Sequence, residues 1–297
     1  MKRNRTRLSI LLNIWLGFIL ICLIFHEHIP SRILARLTPP TSLTNTYITT
    51  QPGRLNRFTN NLQEKNSFII VAFGDSVTRG ASVAGLLDPE SVYHNQLKRL
   101  LEKRFPDVTF SVINSGVGGD EVSDGLARLD KSVIRFSPDL VLVEFGLNDS
   151  VNNGLAGLSK FRLTLTEIIR RIKQQTYAEI ILLTPNFLAT SDNVNVQNEH
   201  RQKGWAQKFP RIQNHGIHGQ YAQAIRDVGI ENDVPVADIY AEWKRLSDFM
   251  DTNTLLVNGL NHPDARGHRF AAETVITVID PEHICDQPYN QTTAKGN

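Results

Sequence analysis

Cysteine is nearly absent, with only Cys22 and Cys285 in 297 residues. Cys22 falls inside an apolar run near the N-terminus, so Cys285 stands alone in the rest of the chain. No intrachain disulfide can staple an exported domain, and cysteine-rich zinc sites are excluded. An excess of one charge is also missing: 32 Lys+Arg face 30 Asp+Glu, and the net charge is +2. With no basic stripe interleaved with aromatics, a nucleic-acid partner is not expected. No internal repeat is present, which sets aside solenoids and propellers. The stretch Gly116-Val117-Gly118 starts like a dinucleotide fingerprint, but position 121 is Glu where that motif needs glycine or alanine. Nucleotide binding is therefore not expected either. What remains is an ordinary globular balance, 41% hydrophobic and 21% charged, able to rest on a core of its own.

The one long apolar run is Leu8 to Phe25, free of charge and preceded by Lys2, Arg3, Arg5 and Arg7. Its length is close to the ~20 residues a helix needs to span a bilayer. The basic flank predicts a cytoplasmic N-terminus and a single-pass membrane protein whose remainder faces outside the cytoplasm. An uncleaved anchor is preferred to a signal peptide, because no small-residue cleavage site closely follows Phe25. Ile21 before Cys22 does not fit a lipidation motif. The expected organisation is a cytoplasmic tip and anchor over residues 1–29, a Pro/Thr/Asn-rich spacer over 30–65, one domain over 66–281 and a polar tail over 282–297.

Within the domain, short apolar runs at 68–73, 108–113, 140–145, 180–183 and 234–239 predict five buried strands. Amphipathic stretches separate them. One such helix is expected over 90–105, capped by Asp88 with Pro89 in its first turn, and another over 265–279. Strands alternating with helices imply an α/β fold: a parallel sheet covered on both faces, in a three-layer α/β/α sandwich. Ligands of such sheets gather beyond the carboxyl ends of the strands. Three polar turns would meet there, namely Gly74-Asp75-Ser76, Asn114 to Asp120, and Gly146-Leu147-Asn148-Asp149.

Ser76, just past a strand and before a helix, can present its hydroxyl to a base. The glycine-rich second turn can aim a backbone N–H at a developing oxyanion, and the Asn148 amide can do the same. Asp120 is expected to cap the next helix and Asp149 to brace its loop. His262 lies in a loop before Pro263, which restrains its backbone as suits a base held in place. His268 reads as helix packing. The insertion from about Asn186 to Asn214, with His200, Trp205 and Phe209, is long enough to be functional. Trp205 there would more commonly pin its own loop than stack on a sugar.

In order, Gly-Asp-Ser, Gly-Gly-Asp, Gly-Leu-Asn-Asp and His-Pro resemble the blocks of the SGNH, or GDSL, hydrolase family over about Phe68 to Ile279. The resemblance implies a flavodoxin-like five-stranded sandwich and a serine esterase that uses no metal or organic cofactor. Ser76 would be the nucleophile and His262 its base. The Ser76 and Gly119 N–H groups and the Asn148 amide would form the oxyanion hole. The G-x-S-x-G elbow of ordinary α/β-hydrolases is absent. Family members carry an aspartate three or four residues before the histidine, and here those positions are Gly259 and Asn258. Asn258 through its side-chain oxygen, a backbone carbonyl, Asp251 or Asp264 could orient the imidazole, or serine and histidine could act as a dyad. The expected substrate is a small-molecule or polysaccharide ester, with carbohydrate O-acetyl groups foremost. A lysophospholipase or short-chain lipase and an anchored carbohydrate-binding pseudoenzyme are the alternatives.

Overall fold

The computed structural model describes residues 65–82 and 86–281, together with Leu55 and Phe58. The expected membrane anchor and polar tail, and all of the expected spacer but Leu55, Phe58 and Lys65, lie outside these residues. Among the described residues, no helix is long and apolar enough to cross a membrane.

Five strands form one parallel sheet: β1 (Ser67–Gly74), β2 (Thr109–Gly116), β3 (Leu140–Glu144), β4 (Glu179–Leu183) and β5 (Val236–Ala237), in the order β2-β1-β3-β4-β5. A parallel sheet is covered on both faces, so its central strands are apolar at every position rather than at alternate ones. Alternate residues of β1 then serve different layers. Phe68, Ile70 and Ala72 pack with Leu97 and Leu101 of α2 (Tyr93–Arg104), Trp243 of α9 (Ile239–Ser247) and Val275 of α10 (Ala265–Ile279). Val71 and Phe73 pack on the other side with Leu129 of α3 (Val122–Ser132), Ile168 of α5 (Leu158–Gln175) and Val228 of α8 (Ile217–Glu231).

A third apolar cluster lies at the rim. Here Val77 of α1 (Ser76–Arg79) and Leu147 of α4 (Leu147–Asn153) meet Leu188, Leu260 and the helix α7 (Trp205–Asn214). Strand order reverses direction between β1 and β3, and the carboxyl ends of these strands open the crevice where this fold places ligands.

Three local expectations are corrected. Strand β5 is only two residues long, because Val234 N–H bonds back to the Gly229 carbonyl and Asp238 turns the chain as the N-cap of α9. Asp88 does not cap α2. Its Oδ1 accepts from Ser91 N at 3.1 Å, the helix starts at Tyr93, and Val92 is the cap without a side-chain bond. The insertion at 186–214 is partly helical, carrying α6 (Asn198–Gln202) and α7, whose Phe209 and Ile212 are buried in the rim cluster.

Candidate active site

Strand β1 ends at Gly74, and Asp75 caps the short helix α1 by accepting Val77 N–H on Oδ1 at 2.8 Å. This fixes Ser76 in the first helical position, 8% exposed at the base of the crevice. From the far end of the chain, His262 places Nε2 3.1 Å from Ser76 Oγ and Nδ1 3.2 Å from the Ser82 carbonyl oxygen. A carbonyl can only accept, so Nδ1 carries the ring proton and Nε2 turns its lone pair to the serine hydroxyl. Burial pushes the His262 pKa below its ordinary value, only partly offset by the Ser82 bond, and the nearby His200 pushes the same way. The ring is neutral at neutral pH.

The loop that carries His262 is built around Asn258. Its Oδ1 accepts the backbone N–H groups of Leu260, Asn261 and His262, each at 3.0 Å, while Nδ2 donates to Asn261 Oδ1 at 2.9 Å. Asn258 therefore orients His262 through its main chain, and its side-chain oxygen does not reach the ring. That corrects the expected imidazole contact: the oxygen is saturated by three backbone donors. Gly259 adopts φ +69°, a conformation costly for any residue with a Cβ, and a Cβ there would meet Val196 N at 3.0 Å. An aspartate three before the histidine would be strained. Asp251 caps a 3-10 turn at Asn253, and Asp264 caps α10 while pairing with Arg266 at 2.7 Å. The ring's second partner is thus the backbone carbonyl. Asn258→Ala strands three amide donors and is expected to lower stability by roughly 3 kcal/mol at one net hydrogen bond each. Chemical denaturation would measure it, with Asn258→Asp, which keeps the one oxygen that accepts all three donors, losing less.

Across the crevice, the loop after β2 runs close over the serine: a Cβ on Gly118 would lie 3.9 Å from Ser76 Cβ. Gly119 turns with φ +85° and has open space beside it. Asp120 does not cap α3. Glu121 does so, in a reciprocal capping box with Asp124, and Asp120 instead pairs with Arg128 at 2.6 Å. Arg128 also donates to the Ser115 and Gly74 carbonyls, both at 2.8 Å, and its guanidinium lies 4.6 Å over the Phe73 ring. It ties the ends of β1 and β2 together. Asn148, in the first turn of α4, donates from Nδ2 to the Asp120 carbonyl at 2.9 Å and, more weakly, to Asp75 Oδ2 at 3.3 Å. Asp149 accepts Val122 N–H at 3.2 Å, and burial pushes its pKa up to about 7. The structure thus brings Ser76, His262, Asn148 and the Gly119 loop to one crevice.

Sequence reasoning missed Ser82 as a named residue, as well as Arg128 and Glu144. An arginine in a helix face and a glutamate closing an all-apolar strand were the available signals. His218 is fully buried, with Nδ1 2.7 Å from Ser150 Oγ and Nε2 2.9 Å from the Asn186 carbonyl. This second serine–histidine contact packs α4 in place. In the insertion, the Trp205 ring stacks on His200 at 4.7 Å and tilts against Phe209 at 5.9 Å, pinning its own loop. His268 is buried in α10, stacked on Tyr93, and burial drives its pKa down to about 3.

A parallel α/β/α sandwich with a serine and a histidine in contact at its rim defines the class as an SGNH-type hydrolase fold. The sequence profile of the GDSL-like lipase/acylhydrolase family matches residues 72–270, and the chain belongs to that family, as an ester-bond hydrolase of the GDSL type. Among characterised structures, an acetylxylan esterase from Geobacillus stearothermophilus shares the fold with a TM-score of 0.56 at 21% identity, over 72% of this chain and 94% of that one. A lipase/acylhydrolase from Enterococcus faecalis gives a TM-score of 0.54 at 26% identity, over 74% and 100%. An uncharacterised lipoprotein of Bacillus subtilis is 25% identical over 223 residues, 69% of this chain and 87% of the relative.

Proposed function

We propose that this protein is a carbohydrate O-acetyl esterase that works through an acyl-serine, facing outside the cytoplasm and held to the membrane by residues 8–25. The 3.1 Å contact between Ser76 Oγ and the lone-pair nitrogen of His262 carries the mechanistic part. His262 Nε2 takes the hydroxyl proton as Ser76 Oγ attacks the ester carbonyl, and returns it to the departing sugar oxygen. Water then attacks the acyl-serine with the same histidine as base, releasing acetate. The oxyanion is met by the Ser76 N–H, which sits in a first helical turn where amides lack intrahelical partners, by the Gly119 N–H and by Asn148 Nδ2. The acetylxylan esterase likeness supports an acetylated sugar, and the lipoprotein relative together with the basic-flanked apolar run supports the location. The expected extents are those of the sequence reading: anchor within 1–29, spacer 30–65, catalytic domain 66–281 and tail 282–297.

One observation favours a lipid-directed second reading. Leu86, Leu87 and Val117 are exposed on the two loops that border the serine, an apolar edge suited to an acyl chain. A carbohydrate-binding protein without catalysis would need Ser76 beyond the reach of His262, and 3.1 Å argues against it. Acetate release from acetylated xylo-oligosaccharides, set beside fatty-acid release from lysophosphatidylcholine, separates the readings. A kcat/KM at least tenfold higher on the acetylated sugar is expected, and the reverse preference would replace it with the lipid reading.

The acid limb of the pH profile follows from the lowered His262 pKa. The imidazole must be neutral to act, and its folded pKa is depressed, so kcat/KM is expected to hold as pH falls through the ordinary imidazole value of about 6.5 and to drop only below it. A limb centred above that value in kcat/KM for p-nitrophenyl acetate would contradict the geometry.

A further inference from the structure

Beneath the serine lie two carboxyl groups that the reaction does not use. Asp75 leaves β1 and Glu144 closes β3, the neighbouring strand, where Gly74 and Glu144 are register partners. Both are buried, at 0% and 2% exposure. Glu144 sits against the turn that carries Asp75, its Oε2 2.9 Å from where a Cβ on Gly74 would stand and 3.0 Å from Thr78 Oγ1, and a hydrogen bond between the two carboxyls needs a proton between them. The individual atoms are consistent with this. Asp75 Oδ1 accepts Val77 N–H and Glu144 Oε2 accepts the Thr78 hydroxyl at 3.0 Å; the Asp75 and Thr78 backbone N–H groups also face the Glu144 carboxyl, and its buried Oε1 has no partner in hydrogen-bond geometry among the described residues.

We propose that Asp75 and Glu144 hold one proton between them, on Asp75 Oδ2 and donated to Glu144 Oε1, and that this pair positions Asn148 by holding its second amide N–H weakly enough for it to turn to the oxyanion. The positioning role rests on the esterase reading above; the shared proton does not.

The proton belongs to Asp75 because the neighbouring dipoles favour charge on Glu144. Thr78 has a single hydroxyl hydrogen and gives it to Glu144, so Tyr93 must donate to Thr78 Oγ1 at 3.1 Å. Both hydroxyls therefore point toward Glu144 and stabilise its negative charge. Burial and the charge of Glu144 both raise the Asp75 pKa well above the usual carboxylate range. Among the described residues, no cation relieves a second charge. Arg128 is turned to Asp120 and to the carbonyls of Gly74 and Ser115, and His94, 3.0 Å from the Thr78 carbonyl, is held neutral by burial with a pKa of about 4. His268 is neutral for the same reason, and Asp149 adds repulsion. Full ionisation would leave two uncompensated charges in the core, so one proton stays.

The consequence for Asn148 follows from which oxygen bears the proton. A carboxylic hydroxyl is a poor acceptor, in keeping with the 3.3 Å separation from Asn148 Nδ2, against 2.9 Å to the Asp120 carbonyl. An ionised Asp75 would grip that N–H and set a full negative charge beside the developing oxyanion.

Glu144→Gln tests this, because the glutamine amide donates to Asp75 and lets it ionise. We expect kcat to fall about tenfold at nearly unchanged KM, part of what a lost oxyanion donor costs. Adding Asp75→Asn removes the charge again and should recover much of that loss, where two merely structural defects would compound. Infrared difference spectroscopy of the parent, well above neutral pH so that Asp149 is ionised, should show one protonated carboxyl band that Asp75→Asn abolishes. A parent without that band overturns the shared proton even if the esterase reading stands. A double variant slower than Glu144→Gln overturns the positioning role.

Discussion

Alanine at position 76 is expected to reduce kcat on p-nitrophenyl acetate by roughly ten-thousand-fold to a million-fold, the range seen when a serine nucleophile is removed from a serine–histidine unit. The hydroxyl is the atom 3.1 Å from His262 Nε2, and no second hydroxyl is described within hydrogen-bond reach of that nitrogen. Ser76 itself is almost enclosed, and its side-chain oxygen is not part of the cap that builds α1, a job done by Asp75. The variant should therefore keep its circular dichroism spectrum and melting temperature while losing turnover. It should also lose labelling by a fluorophosphonate, which forms a bond to an activated serine alone. A Ser76→Ala protein that hydrolyses the ester at the parent rate would end the acyl-serine mechanism, whatever the fold.

Asn148→Ala is the second large effect, with kcat down roughly a hundredfold to a thousandfold and KM little changed, as for other side-chain oxyanion donors. The ground-state ester oxygen needs the amide less than the oxyanion does, which is why the loss should fall on kcat. Part of any stability change has a separate source. The Asp120 carbonyl loses its 2.9 Å donor, an effect that thermal denaturation would register independently. A kcat within threefold of the parent would remove Asn148 from the oxyanion hole and leave it as a brace between the β1 and β2 turns.

The sheet was legible because a parallel strand buried on both faces writes itself as an unbroken apolar run. The stretches around Ile70, Leu142 and Ile181 could be little else. Strand β5 was overextended because Val234 and Ile239 are buried too, one at a helix end and one inside α9, and burial alone does not distinguish them from strand residues. The Asp88 cap failed for a related reason. An Asp-Pro pair serves a turn as well as a helix start, and here Asp88 bonds Ser91 before the helix begins. Ser76, Asn148 and His262 stood out because each is polar at the mouth of an apolar strand or in a restrained loop. Ser82, Arg128 and Glu144 did not, since their parts depend on contacts between positions far apart in the chain. A carbonyl has no residue signature at all.

That carbonyl has a consequence for how the site ages and tunes itself. In an enzyme whose histidine leans on an aspartate, one codon change can delete the partner. Here the histidine leans on the main chain at Ser82, so substitutions at that position alter a side chain while the acceptor oxygen persists. The same short segment carries both the serine and the carbonyl, linked by the Ala81 N–H to the Ser76 carbonyl at 2.9 Å. A shift of that segment moves both of the imidazole's partners in concert. The partner is also a dipole without net charge, so the basicity of the imidazole should vary little with ionic strength, an insulation that a charged third member would not provide.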